Sequence, residues 1–311
     1  MTDIVVSEFM DEAAVDELRR EFQVRYDPTL VDRPAELERL AVHARALIVR
    51  NRTQVRGPLL VAARRLEAVG RLGVGLDNID VAACKARGIA VLPATGANET
   101  AVAEYVVAAA LFLLRGAYNA TPAMLDGRWP RQELIGREAS GQLMGLVGFG
   151  GVARQVAQRA KALGMRVAAF DPYLPAGDAA WQEVERRDEL RSLLAAADVL
   201  SLHVPLAAET RHLIGGEALA TMRSDALLIN TARGGVVDEP ALAEALRCGR
   251  LAGAALDVFA DEPLSRDAAR VFAGCPNLIL TPHVAGVTVE SNARVSMVTA
   301  ENVRRVLTRR A

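Results

Sequence analysis

The sequence predicts an α/β chain built on doubly wound parallel sheets. Three observations carry that expectation. Short apolar runs alternate with longer stretches of helical period along the whole chain, as βαβ units require. At 143–163 a strand-like run opens directly into glycines and then into a helix. Finally, 311 residues, 51% of them hydrophobic, provide two domains of ordinary size with ample buried core.

In the first third, 4–7 reads as a strand and 11–22 as a helix, followed by strands at 46–50, 66–69 and 89–92. Asn78 or Asp80 is placed to cap a helix that ends near Gly88. The stretch 100–115 reads as one long helix, Ala-rich and apolar around most of its circumference. Such a helix needs cover on several sides, from its own domain, a partner subunit or both. Residues 116–137 are irregular, punctuated by Pro122, Gly127, Trp129, Pro130 and Gly136. A more regular series follows, with strands at 143–147, 167–171, 199–204, 226–230, 253–258 and 278–281. Helices lie between them, notably at 152–163 and 239–247. Six strands in this arrangement match a doubly wound dinucleotide fold. A last helix spans 289–308, where Arg304, Arg305, Arg309 and Arg310 form a solvated face.

Composition excludes several classes of function. With 37 Lys+Arg against 38 Asp+Glu, the net charge of −1 offers no basic field for nucleic acid. Aromatic residues make up 4%, too few for base-stacking platforms. The longest uncharged apolar run, 105–114, is half of the roughly 20 residues a bilayer span needs. The acidic N-terminus does not read as a secretion signal. Cys84, Cys248 and Cys275 are scattered without metal-ligand spacing and read as reduced thiols of a cytoplasmic protein. The expectation is a cytoplasmic protein with no metal, no nucleic acid and no membrane partner.

The sharpest local signal is the run from Leu143 to Ala153. Gly148 permits a tight turn, and Gly150 lets a pyrophosphate approach the backbone at the positive end of a helix. Ala153 occupies the third small position, where helix and strand pack closely. Asp171 follows Ala153 by 18 residues, near the spacing of the acid that binds an adenosine ribose. A carboxylate there accepts from the 2′-hydroxyl and repels a 2′-phosphate. Pro172, Tyr173 and Leu174 offer no Arg to hold such a phosphate, so the pattern favours NAD over NADP.

A cofactor over the carboxyl ends of these strands requires reacting groups at the same ends. Arg233 follows the strand at 226–230 with Gly234 and Gly235 beside it, and a guanidinium fork suits a carboxylate and its neighbouring carbonyl. Taken alone, a strand-end Arg is more often a surface ion-pair partner. Of four histidines, His43 falls in a helical stretch, His212 in a polar loop and His203 at a strand end. His283 alone follows an apolar strand and precedes a glycine loop. Oxidising a hydroxy acid means removing a hydroxyl proton as well as hydride, work suited to imidazole, with Glu262 holding the ring. A satisfied core histidine remains the alternative on local grounds. In the first domain, the glycines between Gly70 and Asp80 form a turn whose backbone N–H groups could cradle a carboxylate, with Arg50 adding charge. An ordinary turn before a helix explains the same residues.

Together these pieces resemble the D-isomer-specific 2-hydroxyacid dehydrogenases, a family that includes D-3-phosphoglycerate dehydrogenase and hydroxypyruvate reductase. The resemblance runs in order through GVGLDNID at 73–80, NETAVAEYV at 98–106, GLVGFGGVARQVA at 145–157 and AFDPY at 169–173. It continues through HVPL at 203–206, INTARGGVVDEPAL at 229–242, AALDVFADEPL at 254–264 and TPHVAG at 281–286. Ala153 replaces the commoner third glycine.

The resemblance implies two Rossmann-like domains. A discontinuous substrate domain comprises 1–98 and 286–311, and an NAD-binding domain 99–285. It implies that Arg233 binds substrate, that His283 is the acid–base and that Glu262 is its partner. Cofactor contacts would come from Gly148, Gly150, Gly151, Val152, Asp171, Val204, Thr231 and Asp257, the last at the nicotinamide carboxamide. Arg50, Val74 and Gly75 would bind substrate from the first domain. Family members dimerise through the region of the long helix, so a homodimer is expected.

The implied reaction is hydride transfer between NAD and C2 of a small anionic D-2-hydroxy acid or its 2-keto partner. The 3-phosphoglycerate, hydroxypyruvate/glyoxylate and sulfolactate types all remain open. The stretches 94–98 and 127–130 look most like sulfolactate dehydrogenase-type members. Because the sequence ends at Ala311, no C-terminal regulatory domain is expected. An NADH-sensing binding module without turnover and an NADP-linked glyoxylate/hydroxypyruvate reductase are the rival readings.

Overall fold

The computed structural model describes residues 2–309, so Arg310 of the expected basic face lies outside the described residues. The chain divides into two compact units, one running to Asn98 and resuming at Val287, the other spanning Glu99–Gly286.

In the first unit β1 (Ile4–Val6), β2 (Val24–Tyr26), β3 (Ala46–Val49), β4 (Ala68–Arg71) and β5 (Ala90–Pro93) form one parallel sheet in the order β2-β1-β3-β4-β5. The helices between them are α1 (Glu12–Arg19), α2 (Pro34–Ala41), α3 (Gly57–Ala62) and α4 (Val81–Ala86). Alternation along the strands assigns side chains to opposite faces. Ile4 and Val6 enter one buried cluster while Val5 enters the other. Asp80 rather than Asn78 caps α4, accepting from the Ala83 N–H, a contact of about 1 kcal/mol.

The second unit opens with α5 (Glu99–Arg115) and the short α6 (Thr121–Leu125). Its strands are β6 (Leu143–Val147), β7 (Arg166–Phe170), β8 (Glu185–Arg186), β9 (Val199–Leu202), β10 (Leu227–Asn230), β11 (Gly253–Leu256) and β12 (Leu278–Leu280). Between them lie α7 (Gly151–Ala162), α8 (Leu190–Ala196), α9 (Gly216–Thr221), α10 (Glu239–Arg247) and α11 (Arg266–Ala269). The sheet is wholly parallel, in the order β12-β11-β10-β9-β6-β7-β8. It has seven strands against the six expected, because the polar two-residue β8 pairs on the open edge of β7. Both faces of the sheet are covered. Helices α5 and α7 pack on the side of Met144 and Leu146, while α8 and α10 pack on the side of Leu143 and Val147.

The last helix, α12 (Val289–Thr308), belongs to the first unit and starts at a capping box between Thr288 and Ser291. Among the described residues, no single helix is long and apolar enough to cross a membrane.

Candidate active site

In the second unit the strand order reverses between β6 and β9, and the crevice outside their carboxyl ends is where doubly wound sheets bind ligands. The glycine turn after β6 sits there. Gly148 has φ +85°, and a Cβ on it would stand 2.6 Å from the His203 carbonyl oxygen. Gly150 is the N-cap of α7, has no side-chain cap, and has nothing within 4 Å of where a Cβ would be. The helix therefore begins without a side-chain cap and with open space at Gly150, an arrangement that suits an anion. Gly151 and Val152 start the helix, Gly151 beside the Glu99 carboxylate.

Asp171 is tied to the same turn. Its Oδ2 accepts from the Phe149 N–H at 2.9 Å, and its Oδ1 from Tyr173 and Leu174 at 2.9 and 3.2 Å. Three of roughly four acceptor positions are thus used, fixing the carboxylate with one position left for a hydroxyl. Val204 packs against the turn. Thr231 Oγ1 and His203 Nε2 are buried with no hydrogen-bond partner among the described residues. Burial pushes the His203 imidazole down to about 4, so the ring is neutral at pH 7. An open cradle, an uncapped helix and two unpaired buried polar atoms fit a dinucleotide.

The ionisable groups expected from sequence lie on three loops of this unit. Asn230, buried at the end of β10, braces the turn that carries Arg233. Its Nδ2 donates to the Arg233 carbonyl at 3.0 Å and its Oδ1 accepts from Ala232. Glu262 Oε1 accepts from the Phe259 N–H at 3.0 Å, while Oε2 lies 2.7 Å from His283 Nδ1. Burial opposes ionisation of Glu262. The hydrogen bonds from His283 and Phe259 and the charges of His283 and Arg233 outweigh that penalty, holding the carboxyl below its usual range.

His283 has φ +56°, a conformation costing of order 1 kcal/mol for a non-glycine residue. Its N–H meets the carbonyls of Asp257 and Thr281 at 2.8 and 3.0 Å. The Asp257 carboxylate is almost fully buried and receives the Thr281 hydroxyl and the N–H groups of Val284 and Ala285, all within 2.8 Å. In this structure Asp257 shapes the loop bearing His283. Because Thr281 donates to Asp257, the Tyr105 hydroxyl at 2.6 Å must donate to Thr281. Burial raises the Tyr105 phenol, keeping it a donor.

The first unit carries its own expected residues. Arg50 follows β3, donates to Asn292 Oδ1 at 2.6 Å and stands 5.6 Å from the centre of the Phe9 ring. Burial lowers its guanidinium against the opposing pull of Glu8. The last residue of β4, the buried Arg71, holds the carbonyls of Gly75 and Leu72 at 2.8 and 2.6 Å. Among the described residues the N–H groups of Val74 and Gly75 donate to nothing, which suits an anion nest.

Asn230, Arg71 and Glu8 escaped the sequence reading. Asn230 had a usable signal, a lone amide ending an apolar strand. Glu8 had none, since its partners lie more than 40 residues away.

Residues 107–285 match the family model of the D-isomer specific 2-hydroxyacid dehydrogenase, NAD binding domain. The chain is 60% identical over 311 residues to (S)-sulfolactate dehydrogenase of Chromohalobacter salexigens, with 100% of both chains covered. It is 38% identical over 268 residues to hydroxypyruvate reductase of Thermotoga maritima, covering 86% of each. Among solved structures, D-lactate dehydrogenase from Aquifex aeolicus, complexed with NAD and lactic acid, superposes with a TM-score of 0.86. Its identity is 27%, over 98% of this chain and 96% of that one. The protein belongs to the D-isomer-specific 2-hydroxyacid dehydrogenase family and is an NAD-dependent oxidoreductase acting on a 2-hydroxy acid.

Proposed function

We propose that this enzyme interconverts (S)-sulfolactate and its 2-keto acid, sulfopyruvate, with NAD. The observation that carries the reading is the Glu262–His283 pair with Arg233 acting on the same carboxylate, in a chain 60% identical over its whole length to a sulfolactate dehydrogenase. The (S) label and the D specificity agree. Sulfur outranks the carboxyl oxygens in priority, so replacing the methyl of D-lactate by a sulfomethyl group changes the label from R to S without moving any substituent.

NAD, when bound, supplies the hydride acceptor or donor. The protein's residues do the rest. Arg233 grips the carboxylate and the C2 oxygen with its planar fork, favouring charge on that oxygen. His283 Nε2 takes the C2 hydroxyl proton during oxidation and returns it during reduction. Glu262 holds Nδ1 and stabilises the imidazolium that results. Arg50 and the amides of Val74 and Gly75 bind the substrate's anionic groups; a sulfonated hydroxy acid has two.

The enzyme is proposed to be a cytoplasmic homodimer. Tyr118, Leu125, Trp129 and Ile135 are 65–83% exposed on the segment that follows α5, large apolar side chains that a partner subunit would cover. Sedimentation at micromolar concentration tests the dimer.

The reaction is tested by following NADH and NADPH oxidation with sulfopyruvate, hydroxypyruvate, glyoxylate, pyruvate and phosphohydroxypyruvate. The expected result is the highest kcat/KM for sulfopyruvate with NADH. A higher value for hydroxypyruvate or glyoxylate with NADPH overturns both the substrate and the cofactor assignment.

A further inference from the structure

The first unit has a reversal of its own. Its sheet order β2-β1-β3-β4-β5 places the switch between β1 and β3, and the crevice outside their carboxyl ends is the ligand position of such a sheet. The loops leaving both strands meet there through one side chain. Glu8, two residues beyond β1 and only 5% exposed, accepts from three backbone N–H groups of the loop after β3. Its Oε1 takes those of Arg50 and Thr53 at 2.8 and 3.0 Å, and its Oε2 takes that of Arg52 at 3.2 Å.

The opposite side of the same loop is held as well. Asn78 Nδ2, itself buried, donates to the carbonyls of Arg50 and Thr53 at 3.0 and 2.6 Å. The Ser7 and Thr53 hydroxyls lie 2.9 Å apart.

A buried carboxylate is costly unless its charge is met. Among the described residues Glu8 makes no ion pair. Amide N–H groups satisfy it, and its charge acts at a distance on Arg50 and Arg52. An uncharged residue could close a loop of this size at lower cost. The geometry therefore has a functional reading: three convergent amides hold the backbone of residues 50–53 in one conformation and so fix the base of the Arg50 side chain.

We propose that Glu8 is a positioning residue for substrate binding, its carboxylate gathering the 50–53 loop so that Arg50 is set to receive an anionic group of the 2-hydroxy acid. This rests on the reading that Arg50 binds substrate. It adds that Glu8 has no contact with substrate and acts only through Arg50.

The test is a kinetic double-mutant cycle on the full-length enzyme with sulfopyruvate as the varied substrate. NADH affinity is measured by fluorescence titration and thermal stability is measured alongside. Glu8→Ala is expected to raise KM about tenfold, with kcat within about twofold of wild type and NADH affinity unchanged. Glu8→Gln keeps one acceptor oxygen but turns an NH₂ group toward the loop, so its KM is expected to rise by a few fold. In an Arg50→Ala background, Glu8→Ala is expected to change KM less than about twofold, because the group it positions is gone.

The same KM rise in both backgrounds, or loss of NADH affinity in step with thermal stability, overturns the proposal while leaving the reading of Arg50 intact. An unchanged KM in Arg50→Ala alone overturns that reading and this proposal with it. If Glu8→Ala does not fold, Glu8→Gln decides: wild-type KM overturns the proposal.

Discussion

Oε2 of Glu262 lies 2.7 Å from Nδ1 of His283, and an ionised carboxylate can only accept a hydrogen bond. Nδ1 therefore carries a proton in both charge states of the ring, and Nε2 is the nitrogen that exchanges one. The His283 backbone is held as firmly, with its N–H on the Asp257 carbonyl and the next two N–H groups, of Val284 and Ala285, on the Asp257 carboxylate.

His283→Asn is accordingly expected to lower kcat by about 10²–10⁴ while NADH binding survives. Glu262→Gln keeps an acceptor at Nδ1 but loses the charge, so a smaller loss is expected. Fluorescence titration and pH–rate profiles check both variants. An unaltered profile in His283→Asn refutes the acid–base assignment.

The lowered Glu262 carboxyl has a consequence for stability. The folded state binds this proton more weakly than the unfolded chain, so the contribution is complete above the ordinary carboxylate value of 4.5. It disappears as pH falls through the lowered folded value. The stability difference between wild type and Glu262→Gln is expected to be constant from pH 6 to 8 and to shrink below about pH 4.5. Urea unfolding across that range measures it.

His203 acts in the same direction at a higher pH. Its folded value of about 4 lies below the ordinary 6.5, so on acidification the unfolded chain takes up the proton first. Stability should fall by about 2 kcal/mol between pH 7 and pH 5 through this group. His203→Gln is expected to flatten that slope, read from urea midpoints at each pH.

Gly148 and Gly150 should respond differently to the same added methyl group. At Gly148 a side chain meets the backbone of His203 and a left-handed φ, so Gly148→Ala is expected to lose about 2–4 kcal/mol of stability together with NADH binding. At Gly150 the space is open and φ is −78°. Gly150→Ala should keep wild-type stability and still weaken NADH binding at least about tenfold, because it obstructs the pyrophosphate approach. Calorimetry and NADH titration on the pair distinguish a turn requirement from a ligand requirement.

Arg233→Ala is expected to reduce kcat/KM by about 10³ or more, and Arg233→Lys to recover only part of it, since an ammonium lacks the planar fork. Near-normal turnover in Arg233→Ala would falsify its assignment to substrate binding.

Elements whose cause is local were legible in the sequence. The last helix was read as 289–308, the span it has, because its capping residue and 3.6-residue period lie in the sequence itself. The same holds for α10, whose Asp238 cap accepts from Ala241, and for the glycine turn after β6. Elements held by neighbours were not legible. The sequence showed no sign of β2, which lies at one edge of its sheet, or of β8, two polar residues defined only by their pairing with β7. Helices α2 and α3 are short and depend on packing against their sheet.

The candidate site divides along the same line. Residue types at strand ends announced Arg233, Glu262, His283 and Asp171. The pairing of Glu262 with His283 across 21 residues was expected from the sequence and is present. Only the tertiary structure decided that Asp257 serves the His283 loop and that Glu8 reaches the Arg50 loop 42 residues away. Local propensity and hydrophobic period act over a few residues, whereas a buried carboxylate is satisfied by whichever N–H groups the completed sheet brings to it.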